Sequence, residues 1–227
     1  MWWFQGLHAN LLLALRETRA PHRILDAGCG TGGFMKRLAA AFPDATVFGL
    51  DLDAGATRRA QAKGGGILAI GSIDRLPFAD GAFDAAVSAD VLCHRGVDER
   101  RALAELRRCL RPGGLLALNL PAYRWLYSAH DAAVDNARRY ATDELRRLLG
   151  GVGFERVRMR YWNSLLFPLM LLRRKLWRRS GRASEVAPGP VPVERSFCAV
   201  LALERRLFAA GLTLPFGGSI LATAVKP

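Results

Sequence analysis

Ile24-Leu25-Asp26-Ala27-Gly28-Cys29-Gly30-Thr31-Gly32-Gly33 is the stretch that decides the fold. Its first residues form a short apolar strand, and the glycines make a tight turn. Phe34 to Phe42 then reads as helix until Pro43 stops it. Glycines in such a turn let a ligand reach the backbone at a helix N-terminus. Two patterns overlap here: Gly28-x-Gly30-x-x-Gly33 satisfies the dinucleotide fingerprint, and Asp26-x-Gly28-x-Gly30-x-Gly32 satisfies another. Asp26 separates them, because a carboxylate two residues before the first glycine repels a pyrophosphate and suits a ligand with a positively charged amino group.

Working outward, the chain alternates strand and helix. Residues 4–17 carry Phe4, Leu7, Leu11, Leu12 and Leu15 at helical spacing, ahead of Pro21. Downstream of the turn, 46–50, 67–71, 83–88, 115–120, 154–162 and 219–226 read as strands, and 54–63, 98–110, 142–149 and 193–210 as helices. Leu115 to Leu120 is continuously apolar, which suits a strand covered on both faces. Repeated β-α units predict an α/β fold: a Rossmann-like, open, mostly parallel sheet with helices on both faces. The 227 residues are expected to form a single domain. Its parts are an N-terminal helix (1–21), a ligand-binding core (22–162), a helical insertion read as a cap (163–218) and the last strand (219–227).

Lys and Arg number 33 against 20 Asp and Glu, a net charge of +13. The excess is local. Residues 1–100 are balanced, whereas 146–182 holds eleven basic residues and one acid, Glu155. A nucleic-acid tracker would spread its charge over several elements, so the cluster points instead to a patch beside a site or on a membrane surface. Cys29, Cys93, Cys109 and Cys198 show neither a C-x-x-C pair nor a zinc-like spacing, which predicts reduced thiols and no metal. Met1-Trp2-Trp3-Phe4 lacks the basic flank of a secretory signal, so a cytoplasmic protein is expected.

Asp51 closes the second strand and is placed to accept hydrogen bonds from ribose hydroxyls, a feature common to NAD and S-adenosylmethionine sites. Together with the glycine turn, Gly49-Leu50-Asp51, Leu76-Pro77-Phe78, Phe83-Asp84 and Leu110-Arg111-Pro112-Gly113-Gly114 resemble class I S-adenosylmethionine-dependent methyltransferases of the small-molecule, type 11-like branch. The resemblance covers roughly residues 22–120. It implies a seven-stranded sheet with an antiparallel last strand and S-adenosylmethionine as cofactor. It further implies Gly28, Cys29, Gly30 and Gly32 under the cofactor, Asp26 at its amino group and Asp51 on its ribose. Leu52 would flank the adenine, Ser72 and Ile73 would hold its edge, and the segment Ser88-Ala89-Asp90 would pass beneath the sulfonium. Where the family commonly has Val-Leu-Glu-His, this chain has Val91-Leu92-Cys93-His94, so the glutamate is missing.

The segment after the fifth strand, Tyr123 to Tyr140, is where open α/β sheets place ligands. It offers a His130–Asp131 pair as general base, with His94 as another candidate, Tyr127 and Tyr140 to orient the acceptor, and Tyr123, Arg138 and Arg139 to bind it. Arg-Arg-Tyr after a His-Asp pair also resembles a loop in a subgroup of these methyltransferases. Leu165 to Leu172 followed by Arg173-Arg174-Lys175-Leu176-Trp177-Arg178-Arg179 is apolar and then basic, the pattern of an interfacial segment. The sequence therefore predicts methyl transfer to a small or lipid-like anionic acceptor, on O or C, with peripheral contact to anionic membrane through 165–182. Two rivals stand beside it: an RNA-modifying methyltransferase using the basic cluster, and a nucleotide-binding protein that does not methylate. The missing Asn-Pro-Pro-Tyr clamp speaks against the first and Asp26 against the second.

Overall fold

A computed structural model describes residues 1–17, 20–177 and 190–227. Seven strands form one sheet: β1 (Arg23–Ala27), β2 (Thr46–Asp51), β3 (Ile67–Ile70), β4 (Phe83–Ala89), β5 (Leu110–Pro121), β6 (Glu155–Trp162) and β7 (Ser219–Val225). Their order is β3-β2-β1-β4-β5-β7-β6, parallel throughout except for β7, which runs antiparallel to both β5 and β6. This is the expected α/β sheet. Every residue from Leu115 to Pro121 is buried, as a central strand covered on both sides requires.

One face carries α1 (Trp2–Leu15), α2 (Gly33–Ala41) and α8 (Val191–Ala209), whose Leu7, Leu11, Leu38 and Leu201 share a core with Val47, Val87, Ala117 and Trp162. The opposite face carries α4 (Glu99–Cys109) and α6 (Thr142–Gly151), with Leu103, Leu106, Leu145 and Leu149 against Leu116, Leu118 and Ile220. The short α3 (Ala54–Lys63) sits beside β2 and β3. Local chemistry starts two of these helices: Asp53 caps α3 through the Gly55 amide, and Asp98 caps α4 through the amides of Arg100 and Arg101.

Helix α8, the part of the insertion expected over 193–210, lies along α1. A Cβ at Gly6 of α1 would come within 2.4 Å of Leu201 Cδ1, so this glycine sets the close approach of the two helices. Glu204 of α8, itself buried, accepts hydrogen bonds from the amides of Ser164 and Leu165 at 2.9 and 3.1 Å and thereby fixes the turn that leaves β6. Three elements were not foreseen. They are the 3-10 turn Arg124–Leu126, α5 (Ala129–Ala133) and α7 (Phe167–Trp177), where Pro168 falls in the first turn, the place a helix tolerates it. Of the expected interfacial segment 165–182, residues 178–182 lie outside the described residues.

Candidate functional site

The glycine turn lies at the C-terminal ends of β1 and β2. Gly28, Gly30 and Gly32 all have positive φ (88°, 53° and 75°), conformations that L side chains rarely adopt. Their surroundings differ in an instructive way. A Cβ on Gly28 would lie 2.1 Å from Val91 Cγ2, and one on Gly32 would lie 2.8 Å from Ala60 Cβ, so these two serve close packing. A Cβ on Gly30 would meet nothing within 4 Å. Gly30 is the open floor of the turn.

The amides of Gly28 and Cys29 both donate to the Leu50 carbonyl, at 2.7 and 3.0 Å, and the Gly30 amide donates to Asp51 Oδ2 at 2.7 Å. Three successive donors are thus spent on β2, which leaves the turn poorly suited to a pyrophosphate. Asp51 also accepts the Asp53 amide through Oδ1 at 2.9 Å. Each of its oxygens keeps a lone pair for a diol. Asp26 is 2% exposed, and its Oδ2 has no hydrogen-bond partner among the described residues. Burial, reinforced by the neighbouring Asp51 charge, pushes its carboxyl up to about 7. A buried, unsatisfied carboxylate next to an open backbone is complementary to a cationic amine. Asp26, Asp51 and Gly30 therefore fit the amino, ribose and backbone contacts that S-adenosylmethionine offers. Cys29 stays a thiol: burial, then Asp26 and Asp51, raise it to about 12.

Leu52 is 73% exposed beside Asp51, an apolar surface available to a purine. Ser72 accepts the Asp74 amide at 3.2 Å, and Ala89 closes β4 opposite Asn119. Ile73 departs from expectation. Its side chain is buried in the core cluster that contains Leu50 and Leu76, so packing accounts for it.

The Tyr123–Tyr140 segment requires larger corrections. Asp131 does not orient His130: its Oδ2 takes the Ser128 amide and hydroxyl in a capping box, and its Oδ1 takes Arg139 Nε and Nη2 at 2.9 and 2.8 Å. The buried Arg139 also donates to the Ala122 carbonyl, so it pins the loop to the end of β5. Arg138 binds Glu99 at 3.0 Å and the Val97 carbonyl. Tyr140, 2% exposed, gives its hydroxyl to the Leu92 carbonyl, and burial holds its phenol far above the usual range. Tyr127 gives its hydroxyl to the Asn136 carbonyl. A cavity of about 460 Å³ is lined by Glu99, Arg124, Tyr127, Arg138, Arg139, Tyr140 and Glu144, with Arg139 held by Asp131. It shares no residue with the glycine turn, and its arginines are paired, Arg124 with Glu144 and Arg138 with Glu99. His130 is half-buried in α5, and His94 is half-buried in the turn after β4.

Tyr123 lies just past the end of β5, among other aromatic rings. Its left-handed backbone (φ 59°) turns the chain at the end of β5, and its ring stacks on Tyr161 at 5.3 Å and approaches Trp125 and Phe167 at 5.6 and 5.8 Å. Burial and Tyr161 raise its phenol to about 12, so it acts as a neutral wall.

Asp90, at the end of the segment that the resemblance runs beneath the sulfonium, has a setting that the sequence did not reveal. Asp90, directly after β4, has a left-handed backbone (φ 54°), a conformation that costs a non-glycine residue of order 1 kcal/mol. Its carboxylate accepts Asn119 Nδ2 at 3.0 Å, while Asn119 Oδ1 accepts Trp162 Nε1 at 2.6 Å. The indole only donates, so the amide can only present its NH₂ to Asp90. Asn119 is fully buried in the otherwise apolar run from Leu115 to Pro121, and that isolation was the available signal. Asp90 therefore sits beside Val91, which abuts Gly28, with its carboxyl raised by burial to about 7. His8 of α1 packs its ring 4.9 Å from Phe34 at the start of α2, and burial, then Arg37, lower it to about 4.

Residues 25–118 match the family described as a methyltransferase domain. The chain is 34% identical over 163 residues to malonyl-[acyl-carrier protein] O-methyltransferase of Geobacter sulfurreducens, covering 65% of this chain and 61% of that protein. It is 30% identical over 171 residues to 24-methylenesterol C-methyltransferase 2 of Oryza sativa, covering 66% and 46%. It thus spans about half to three fifths of these relatives' lengths. In fold it resembles phosphoethanolamine N-methyltransferase 2 of Haemonchus contortus, solved with S-adenosyl-L-methionine. The TM-score is 0.65 at 19% identity, over 99% of this chain and 53% of the other.

Proposed function

We propose that this chain works as a class I S-adenosylmethionine-dependent methyltransferase, the kind of protein its residues 25–118 match, and that it methylates an oxygen or carbon of a small, lipid-like, anionic acceptor, reached from the cytoplasmic face of a membrane. The observation that carries the reading is the unpartnered Oδ2 of buried Asp26 beside Asp51, at the one loop glycine that opens to space. When bound, S-adenosylmethionine supplies an electrophilic methyl group on a sulfonium. Asp26 receives its amino group, Asp51 its ribose, and Leu52 flanks its adenine.

The residues on the acceptor side mainly align the nucleophile, since an in-line displacement gains most of its rate from orientation. Tyr123, Tyr161 and Phe167 give that side an apolar wall. Asp90 accepts the acceptor's proton when the nucleophile is a hydroxyl or an acidic carbon, with His94 on the following turn as the other candidate base. The two relatives named above are an O- and a C-methyltransferase, which favours those acceptor atoms. The basic excess of 146–182 favours an anion, and its confinement to one window disfavours RNA. No described helix is long and apolar enough to cross a membrane, so contact with a bilayer would be peripheral.

Calorimetry with S-adenosylmethionine, S-adenosylhomocysteine and NAD tests the cofactor assignment. Micromolar binding of the first two, lost in Asp51→Ala, is the expected result. Preference for NAD, or binding indifferent to the substitution, would overturn it.

A further inference from the structure

Helix α7 and the turn before it present an apolar surface outward. Leu165, Leu169 and Leu172 are 38%, 48% and 55% exposed, and Pro168 is exposed between them, while Leu166 and Phe167 fill the core side. A helix on a protein surface ordinarily turns polar residues to water, so this arrangement is inverted for its position. Trp125, 66% exposed, extends the patch, its ring meeting Phe167 edge-on at 6.5 Å. Phe167 in turn reaches Tyr123. The exposed stripe is thus continuous with the aromatic wall at the end of β5.

The sequence that follows the stripe is as telling as the stripe itself. Between Arg173 and Arg182 stand Arg173, Arg174, Lys175, Arg178, Arg179 and Arg182 with no acid. An apolar face next to a cationic segment is complementary to a surface that is anionic above and hydrocarbon below. A second copy of this chain, carrying +13, would be repelled by the same charges.

We infer that Leu165, Leu169 and Leu172, with Trp125 beside them, insert into an anionic lipid bilayer, the partner that the basic sequence following the stripe favours. The aromatic wall then faces the hydrocarbon–headgroup boundary, so a lipid-like acceptor enters the site from the bilayer without crossing water. This part rests on the function proposed above, whereas the docking itself does not.

The test is co-sedimentation of the intact chain with vesicles of phosphatidylglycerol and of phosphatidylcholine. The protein should pellet with the anionic vesicles alone, and each charge screened or removed should weaken partitioning by about fivefold. Leu169→Glu and Leu172→Glu change exposed positions and should each reduce binding about tenfold. S-adenosylhomocysteine affinity should stay unchanged in both variants, which keeps failure of the docking separate from failure of the methyltransferase reading. Equal pelleting by the variants, or none by the parent protein, would overturn the inference. So would variants that shift the protein from dimer to monomer without altering lipid binding, which would make the stripe an interface between copies.

Discussion

The glycine turn and the Ser128–Tyr140 loop both gather charged residues at the same edge of the sheet, yet they use them in opposite ways. In the turn, Asp26 is buried with an oxygen unsatisfied, next to a second carboxylate and an open backbone. In the loop, Asp131 satisfies Ser128 and Arg139 together, Arg138 takes Glu99, and both tyrosine hydroxyls end on carbonyls. One region keeps its hydrogen-bonding capacity for a ligand, and the other has spent it on itself. A residue type nominates a site, but unspent capacity is what makes one.

Breaking the loop should therefore damage the fold and spare the cofactor. Asp131→Ala leaves the Arg139 guanidinium buried without its counter-charge, a change that typically costs about 3–5 kcal/mol. Thermal unfolding should register that loss, while S-adenosylhomocysteine affinity measured well below the transition stays at its parent value. The Arg139 pair and the Ser128 bonds hold the Asp131 carboxyl below the usual range although burial opposes them. Its stabilisation is therefore present above the unfolded-state value and is lost as pH falls through the lower folded one.

Breaking the turn should do the reverse. Asp26→Asn removes a charge-assisted bond to the ligand amine, worth about 1.5–3 kcal/mol, and so should weaken S-adenosylmethionine binding by roughly ten- to a hundredfold. The same substitution should make the free protein more stable at alkaline pH. Asp26 titrates near 7 when folded and near 3.8 when unfolded, so its contribution is fully present below 3.8 and is lost as pH rises through 7. Asparagine abolishes that loss.

The pH dependence of binding sharpens the contrast further. The ligand amine needs Asp26 ionised, so below about 7 a proton must leave before it binds. Affinity for S-adenosylmethionine should rise about tenfold per pH unit up to that point and then level off. In Asp26→Asn the profile should be flat over the same range. A sloping profile in the variant would move the titration to another group.

The same distinction explains what the sequence could reveal. Strand–glycine–helix spacing, the continuous apolar run at 115–120 and the acids closing β1 and β2 are local features, and the sheet and cofactor side follow from them. Ile73 misleads because an apolar residue at a strand end looks alike whether it faces a purine or the core. His130 and Asp131 mislead because adjacency in sequence says nothing of direction: in α5 the carboxylate turns back to Ser128 and on to Arg139, eight residues away. The Asp90–Asn119–Trp162 chain links the residue after β4 to β5 and β6 over 72 residues of sequence distance, beyond the reach of any spacing rule. Only the lone polar residue in an apolar run betrayed it.

That chain supplies the finest test, because in it a partly exposed carboxylate is oriented by a fully buried amide. Asn119 lowers the Asp90 carboxyl against a larger upward push from burial, leaving it near 7. Trp162→Phe removes the indole donor that fixes the amide, and Asn119→Leu removes the amide itself while keeping the strand apolar. In both, Asp90 loses a bond that favours its charged form, so its titration should move upward from about 7, as carbon-13 spectra of labelled aspartate would record. Asp90→Asn identifies the signal by deleting it, and Asp26→Asn separates the other carboxyl that titrates in the same range. If both relay variants left the Asp90 titration unmoved, Asn119 would be only a buried polar residue tied to Trp162, and Asp90 would lose its claim to be a positioned base. If the titration moves while cofactor affinity does not, the acceptor side has its own tuned carboxylate, independent of the one that receives the cofactor's amine.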